Sequence, residues 1–147
     1  MKQLDVTNWS QLEDYLNKKI ASALKNEGAE TARDEMQTHI QEDVYDVYTP
    51  ISYERRMYDD GLIDPRNIEI LMHNDNTISL ENIAYDGEKN VPLIVETGNG
   101  YFRGASDVLT RGRKFTEATK QSLRKSNKLE SALAKGLKRQ GLDISSI

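Results

Sequence analysis

One helical pattern fills the first third of this 147-residue chain and constrains its fold more than any other feature. From about Asn8 to Asp46, apolar or small residues recur at steps of three and four, which places them on one helix face. The stripe comprises Trp9, Leu12, Leu16, Ile20, Leu24, Ala29, Ala32, Met36, Ile40, Val44 and Val47. Thr7 or Asn8 can cap the start, and Thr49-Pro50 ends the pattern. The sequence predicts a long N-terminal helix with a kink or break near Gly28.

A strand-rich region follows a loop predicted over residues 51–65. Asn67–His73 has strand composition and Thr77–Glu81 alternates polar and apolar residues, so the two segments predict a β-hairpin around a polar turn at residues 74–76. Asp86-Gly87 marks a further turn. Val91–Val95 is predicted as a third strand, at an edge or a strand start because it contains a proline.

The C-terminal third combines a glycine-rich segment with one more helix. Residues 97–114 hold four glycines and three arginines and predict a mobile loop. The last helix is predicted from Phe115 to Gln140, with Gly141 as its stop, and residues 142–147 as a short strand or an arm. Together these elements predict an α+β fold. In it the long N-terminal helix and the C-terminal helix pack on a small antiparallel sheet, within a single domain spanning residues 1–147.

The composition predicts a thin hydrophobic core. Only 37% of the residues are hydrophobic, 30% are charged, and the mean hydropathy is −0.72. This is typical either of a small soluble domain with a charged surface or of a subunit that completes its packing against copies of itself.

The chain has no cysteine, which excludes disulfides, thiolate zinc sites and cysteine nucleophiles. No apolar run approaches the ~20 residues that span a bilayer, and the N-terminus lacks a signal-peptide pattern, so neither membrane association nor secretion by that route is expected.

Charge is distributed unequally along the chain. Residues 1–97 carry 9 Lys/Arg and 20 Asp/Glu, a net charge of −11, whereas residues 98–147 carry 11 Lys/Arg and 4 Asp/Glu, a net charge of +7. Ends of opposite sign favour head-to-tail association between copies. A basic end is also compatible with nucleic-acid binding or with a solvated helix that has no partner.

No pattern in the sequence predicts catalysis or a cofactor. The two histidines, His39 and His73, lie in different elements. Glu35, His39 and Asp43 follow one another at single helical turns, a spacing more typical of a solvated helix face than of a metal site. The paired carboxylates lie in polar surroundings that do not favour acid–base catalysis, and the glycines near residue 100 lack the lysine of a phosphate-binding loop. The prediction is therefore a protein that is not an enzyme, without metal, cofactor or small-molecule substrate.

Basic and aromatic residues instead favour contacts with macromolecules. Arg103, Arg111, Arg113 and Lys114 lie beside Tyr101, Phe102 and Phe115 in the sequence. Basic side chains in such an arrangement can bind phosphates, and the aromatic side chains can stack on bases. The chain as a whole, however, is acidic, with a pI of about 5.3. Arginine contacts between subunits are therefore favoured over DNA binding. Four tyrosines and an arginine pair around the helix end also favour an interface; these are Tyr45, Tyr48, Tyr53, Tyr58, Arg55 and Arg56.

The order of several motifs resembles a known family. The segment Val44–Arg56, with Tyr48, Pro50, Tyr53 and Arg55-Arg56, followed by Gly61–Asp64, is similar to small head–tail joining or tail-completion (neck) proteins of tailed bacteriophages. The ending, Gly112–Phe115 and Leu133–Leu142, also resembles that family, with Lys114 where the family commonly has proline. The resemblance extends from about residue 9 to residue 144.

This resemblance implies a structural virion protein. It implies a ring subunit of the phage neck that contacts its own copies and the neighbouring connector and tail-tube proteins, with genomic DNA passing through the lumen without sequence-specific contact. The ring would be assembled in the cytoplasm of the bacterial host. A separate hypothesis, based on charge repulsion, is that the acidic helix with Glu35, Glu42 and Asp43 faces the DNA channel and keeps the passing duplex from sticking. Two alternatives stay open, a tail terminator or other minor tail component, and a prophage-encoded nucleic-acid-binding or regulatory protein. The candidate subunit-interface residues are Tyr48, Tyr53, Arg55, Arg56, Arg103, Arg111, Arg113 and Phe115.

Overall fold

The computed structural model describes residues 7–47, 54–74, 76–99 and 112–142. Within these ranges the chain forms one long helix, two small β-hairpins and three shorter helices. The α+β class and the long N-terminal helix predicted from the sequence are confirmed. None of the helices in these ranges is long and apolar enough to span a bilayer.

The long helix is continuous over residues 9–45. It consists of α1 (Trp9–Ala23), a first π turn (Leu24–Gly28), α2 (Ala29–His39) and a second π turn (Ile40–Tyr45). Asn8 caps it, as its side chain accepts a hydrogen bond from the Gln11 amide at 2.9 Å. A kink or a break was predicted near Gly28. The chain stays helical there, since Gly28 has helical dihedral angles (φ −65°, ψ −45°). The α-helical pattern is interrupted by the π turn that ends at Gly28, whose hydrogen bonds span one residue more than those of an α-helix.

The predicted hairpin is confirmed and lies against the long helix. After a 3₁₀ turn (Pro65–Asn67), β1 (Ile68–Asn74) pairs antiparallel with β2 (Thr77–Asn82). The side chains of Ile68 and Leu80 lie on the same face of this sheet and contribute to the core. The Arg33 guanidinium of α2 donates a hydrogen bond to the Ile68 carbonyl at 3.3 Å. This contact fixes the hairpin on the middle of the long helix.

The segment after the first hairpin differs from the prediction. A second, very short hairpin pairs β3 (Tyr85–Asp86) with β4 (Lys89–Asn90) around Gly87, which has a positive φ of 59°, and so confirms the turn predicted at Asp86-Gly87. The predicted third strand is wrong, because Val91–Thr97 forms α3. The Asn90 side chain caps this helix by accepting from the Leu93 amide at 3.0 Å. Proline in the first helical turn removes only an N–H that has no partner within the helix.

The C-terminal region contains two helices where one was predicted. α4 (Phe115–Lys125) and α5 (Lys128–Arg139) are separated at Ser126, whose backbone is extended. Their main contacts are with the long helix, α4 on α2 and α5 on α1 and the first π turn, and not with the sheet. Gly141 stops the last helix with a φ of 88°, as predicted. Most of the predicted mobile loop (97–114) and nearly all of the predicted terminal strand or arm (142–147) lie outside the described residues.

The core lies where the second half of the long helix meets the loop after it, the first hairpin and α4. Its members are Met36, Ile40, Val44, Tyr45, Leu62, Ile63, Ile68, Ala84, Val95 and Phe115. Polar side chains anchor the loop at its edge. Gln37 donates to the Ile63 carbonyl at 2.8 Å, and Asn82 donates to the Leu62 carbonyl at 2.7 Å. The core therefore fixes the segment that follows the end of the long helix.

Candidate functional site

Two arginines converge on the C-terminal end of the long helix. Arg55 donates from Nη1 to the Tyr45 carbonyl at 2.8 Å, and its guanidinium lies 4.9 Å from the centre of the Tyr45 ring. Arg113 donates from Nη1 to the Val44 carbonyl at 3.3 Å. The last carbonyls of a helix lack partners within the helix and form the negative end of its dipole. These two arginines therefore stabilise the point where the long helix ends.

Tyr45 connects this helix end to the loop that carries the core. Its side chain is buried, and its hydroxyl accepts a hydrogen bond from the Ile63 amide at 3.4 Å. Burial raises the pKa of the Tyr45 hydroxyl above its ordinary value, since a low-dielectric environment disfavours the phenolate. Tyr45 is thus a neutral structural anchor for the loop after the helix.

Phe115 and Arg56 occupy contrasting environments. Phe115 is fully buried in the core, so its side chain has no surface left to offer a partner chain. Arg56 is exposed and lies 3.4 Å from Asp60, and it donates to the Tyr85 carbonyl at 3.1 Å. Among the predicted interface residues that the structure describes, Arg56 is the exposed one, whereas Arg55 and Arg113 are half-buried.

The structure therefore brings part of the predicted site together. Arg55, Arg113 and Phe115 all lie at or beside the C-terminal end of the long helix, and Arg56 lies on the surface of the same loop. The remaining predicted residues, Tyr48, Tyr53, Arg103 and Arg111, lie outside the described residues. Their role at a subunit interface stays a prediction.

A buried carboxylate links three helices and was not anticipated from the sequence. Glu35, predicted to be solvated, is only 5% exposed. It accepts a hydrogen bond from the Ser122 hydroxyl of α4 and pairs with Lys128 of α5 at 2.6 Å. His39 lies between Glu35, at 3.6 Å, and Asp43, at 2.8 Å. Because Glu35 is buried, it cannot line a DNA channel as the sequence had predicted.

The electrostatics of Glu35 follow from two opposing effects. Burial alone would raise the pKa of its carboxyl, but the hydrogen bonds from Lys128 and Ser122 outweigh burial and lower that pKa below its ordinary value. Glu35 is therefore ionised and satisfied at neutral pH. We assign it a structural role, because its carboxylate connects α2 to Ser122 of α4 and to Lys128 of α5.

Asp64 holds the loop that follows the long helix. Its buried carboxylate accepts hydrogen bonds from the backbone amides of Asp60, at 2.8 Å, and Arg66, at 2.9 Å. The Arg66 guanidinium beside it holds the pKa of this carboxyl well below its usual range. The sequence predicted only a turn at Asp64-Pro65, and its aspartate-proline dipeptide gave no signal for this ion pair.

Large apolar side chains are exposed at several places on the described part of the chain. On α1, Trp9 is 80% exposed and Leu16 is 39% exposed. Exposed apolar surface on an otherwise polar chain marks interaction sites. An open groove of about 540 Å³ lies between the first π turn, α2 and the first hairpin, and most of its lining is polar or charged. The lining residues are Lys25, Asn26, Glu27, Ala29, Glu30, Arg33, Ile70 and Met72.

Comparison with known proteins places these features in a family. The model of the family described as YomN matches residues 8–139, from the cap of the long helix to the end of α5. A relative from Bacillus subtilis (strain 168), the SPbeta prophage-derived uncharacterized protein YomN, is 37% identical over 108 residues. That alignment covers 72% of this chain and 73% of the relative. No solved structure matches the chain.

Proposed function

The chain belongs to the YomN family, and on that basis we propose that it is a non-enzymatic structural protein of a tailed bacteriophage. The Bacillus subtilis relative is named as prophage-derived, which supports a phage origin for the family. The finer proposal is that this chain is a ring subunit of the neck, located in the virion between the DNA-filled head and the tail. The order of the sequence motifs, which resembles that of phage neck proteins, supports this position.

The observation that carries the proposal is the exposed apolar surface at the start of the long helix. Trp9 is 80% exposed in a chain whose composition leaves few apolar residues for the surface. A large aromatic side chain on an exposed helix face is typical of protein–protein contacts, where tryptophan is enriched. A subunit that completes its packing against copies of itself accounts for both the thin core and this surface.

The proposed partners follow from this position in the particle. They are copies of the chain, the neighbouring connector and tail-tube proteins, and genomic DNA that passes without sequence-specific contact. Exposed carboxylates recur along the second half of the long helix and directly after its end. These carboxylates are Glu30, Asp34, Glu42 and Asp46. A lumen lined by such carboxylates would repel the phosphate backbone and let the duplex slide.

Particle assembly provides the direct test. Deletion of the gene from an inducible prophage is expected to yield separate DNA-filled heads and tails under the electron microscope, with infectivity restored by a plasmid copy. Light scattering of the purified protein, alone and mixed with the adjacent neck proteins, should show a mass well above that of one chain. Infectious particles produced at normal yield without the gene would contradict the proposal.

One observation favours the second candidate, a nucleic-acid-binding or regulatory protein. The C-terminal helices expose basic side chains that have no ion pair within the described ranges; these are Lys114, Lys120, Arg124, Lys125, Lys135 and Lys138. A DNA-binding role predicts retention of duplex DNA with an affinity that falls steeply as salt increases. Gel-shift titrations at two salt concentrations distinguish this candidate from a ring subunit that does not retain DNA.

A further inference from the structure

The two C-terminal helices expose basic side chains along one side of the long helix. Both helices run antiparallel to it, since Phe115 at the start of α4 lies in the core with Val44, and Gly136 of α5 packs on Ala23. Several exposed lysines and arginines on them have no ion pair within the described part of the chain. These residues, called the basic face here, are Lys120, Arg124, Lys125, Lys135 and Lys138.

The basic face carries a positive charge that its own helices do not neutralise. Lys120 and Arg124 are four residues apart and are therefore neighbours on the surface of α4. Lys135 and Lys138 are three residues apart and are neighbours on α5 in the same way. The exposed carboxylates of these two helices are Glu117 and Glu130. Five basic residues against these two leave a net charge of +3.

A surface of a different character lies beyond the C-terminal end of the long helix. Tyr58 is 61% exposed and Tyr85 is 51% exposed. Arg56 connects the segments that carry them, since it pairs with Asp60 in the turn that contains Tyr58 and donates to the Tyr85 carbonyl at 3.1 Å. The exposed carboxylates of residues 54–60 and 85–88 are Glu54, Asp59, Asp60, Asp86 and Glu88. The two tyrosines and these carboxylates are called the tyrosine surface here.

The tyrosine surface has the chemistry that binds lysine and arginine. The face of a tyrosine ring attracts a cation placed within about 6 Å of its centre, and the Arg55 guanidinium over the Tyr45 ring is an example within this chain. Carboxylates beside such a ring add ion pairs. Five carboxylates against the exposed Arg56 give this surface a net charge of −4, opposite in sign to the basic face. Opposite charges of this kind determine which surfaces meet.

The lysines of α5 and the tyrosine surface are too far apart to meet within one copy. α5 packs on the long helix at Ala23, whereas the tyrosine surface follows the helix end at Tyr45, to whose carbonyl Arg55 donates. These two points are 22 residues apart, or about 33 Å at a rise of about 1.5 Å per residue. Exposed charges are largely screened beyond about 10 Å at about 0.1 M ionic strength. The two surfaces therefore do not neutralise each other within one chain.

We propose that the basic face of each copy binds the tyrosine surface of the next copy. A second copy is favoured over DNA as the partner, because the chain has a net charge of −4, which repels a phosphate backbone, and because every copy carries the complementary surface. Two different surfaces form a heterologous contact, and its repetition produces a closed ring or an open filament. The inference rests on the proposed ring function and deepens it by naming two surfaces that join neighbouring subunits.

Charge reversal gives the first test. One variant combines Lys135→Glu with Lys138→Glu and reverses part of the basic face. The other combines Asp59→Lys with Glu88→Lys and reverses part of the tyrosine surface. Each variant alone is expected to self-associate about tenfold more weakly than the natural chain, because like charges then face each other. Sedimentation velocity over a series of protein concentrations measures this change.

An equimolar mixture of the two variants should restore association. In the mixture, the natural surfaces of the two variants still match, and the two reversed surfaces match each other with opposite charges. Glu13→Lys with Asp14→Lys is the matched control, because these exposed carboxylates of α1 lie outside both surfaces. It changes the net charge as much as reversal of the tyrosine surface does and should leave association unchanged.

The tyrosine rings give the second test. Tyr58→Ala with Tyr85→Ala should weaken self-association by about tenfold, since it removes both rings that attract cations. Tyr58→Phe with Tyr85→Phe keeps the rings and should associate like the natural chain. Leu93→Ala removes an exposed apolar side chain outside both surfaces and should also leave association unchanged. Circular dichroism of each variant checks that the fold is retained.

The outcomes separate this inference from the proposed function. Oligomers that are insensitive to both charge reversals overturn this contact and leave the ring proposal standing, because another surface then joins the copies. A mixture of the reversed variants that stays dissociated also overturns it. A basic face that retains duplex DNA in a gel shift, with self-association unaffected by reversal of the tyrosine surface, assigns that face to nucleic acid and overturns the contact. A protein that stays monomeric at every concentration overturns the contact as well, and the gene-deletion phenotype then decides the proposed function independently.

Discussion

Arg55 and Arg56 are neighbours in the sequence but make contacts of different kinds. Arg55 stacks on the buried Tyr45 ring and donates to the carbonyl at the helix end, whereas both contacts of Arg56 lie on the surface, an ion pair with Asp60 and a hydrogen bond to the carbonyl of the exposed Tyr85. Charge-assisted hydrogen bonds to buried acceptors contribute to stability, while exposed ion pairs contribute little. Substitutions of Arg55 and Arg56 therefore compare the stability contributions of buried and exposed arginine contacts within one loop.

We expect Arg55→Ala to lower the free energy of unfolding by about 1–2 kcal/mol, because it removes a cation–π contact and leaves a helix carbonyl without its donor. Arg56→Ala is the control and should change that free energy by less than about 0.5 kcal/mol. Urea unfolding followed by circular dichroism measures both values. Equal losses in the two variants would show that the helix end does not depend on Arg55.

The burial of Glu35 could not be predicted from the sequence. Its position in the helical pattern, beside Asp34 and one turn before His39, is typical of a solvated face. Its burial depends on Ser122 and Lys128, which lie 87 and 93 residues later in the sequence. Contacts of that range leave no local signal. By contrast, the cap at Asn8 depends on residues three apart and was predicted as one of two candidates.

At the level of elements, two glycines in helices have opposite structural roles. Gly136 of α5 packs so closely on α1 that an added Cβ would lie 2.6 Å from the Ala23 Cβ. Gly28 has helical dihedral angles, and an added Cβ would make only ordinary contacts, the nearest at 3.5 Å. The glycine in α5 is therefore required by packing, and the glycine in the π turn is not.

Gly136→Ala should destabilise the protein by about 1–3 kcal/mol, because the extra methyl group forces α5 away from the long helix. Gly28→Ala should be neutral or stabilise it by up to about 1 kcal/mol, since alanine has the higher helix propensity. Thermal unfolding of both variants at one pH measures these effects. A Gly136→Ala protein as stable as the natural chain would show that α5 does not pack as closely as described.

Helices and strands were predicted correctly where the local sequence pattern was strong. The hairpin of β1 and β2 was predictable because strand composition and strict alternation flank a polar turn. α3 was missed because its apolar run was interpreted as a strand, although Asn90 and Pro92 together are a common helix start. The break at Ser126 was missed because apolar residues continue on both sides of it. Packing of the C-terminal helices on the long helix instead of the sheet had no sequence signature at all.

At the level of the whole molecule, opposite charges hold the two ends of the chain together. The acidic N-terminal part and the basic C-terminal part meet in the pairs Glu35–Lys128 and Glu27–Arg139. The Arg139 hydrogen bond lowers the pKa of Glu27, and Glu35 also has a lowered pKa. Part of the charge asymmetry between the N-terminal and C-terminal parts of the chain is thus neutralised by ion pairs within one subunit.

These lowered pKa values predict acid sensitivity. A carboxyl whose pKa is lower in the folded state stabilises the fold above its unfolded-state pKa, and this contribution is lost as pH falls through the folded-state value. The ordinary value for Glu35 is 4.5. We therefore expect stability to fall as the pH drops from about 5 toward 3.

The variant Glu35→Gln tests the contribution of this site. It should be less stable than the natural chain by about 1–2 kcal/mol near neutral pH, because the charged hydrogen bonds are lost. The difference should shrink as the solution becomes acidic, since the natural carboxylate is then protonated too. Urea unfolding at a series of pH values measures both curves. Curves that stay parallel down to acidic pH would show that Glu35 does not link stability to pH.

The two π turns of the long helix have a consequence for the evolution of the family. A π turn holds one residue more than an α turn requires. Deletion of one residue within Leu24–Gly28 or Ile40–Tyr45 would restore an ordinary α turn and keep every later side chain on its present face. The same deletion inside α2 would rotate everything downstream by about 100°. We therefore expect single-residue gaps among homologous genes to cluster at these two places.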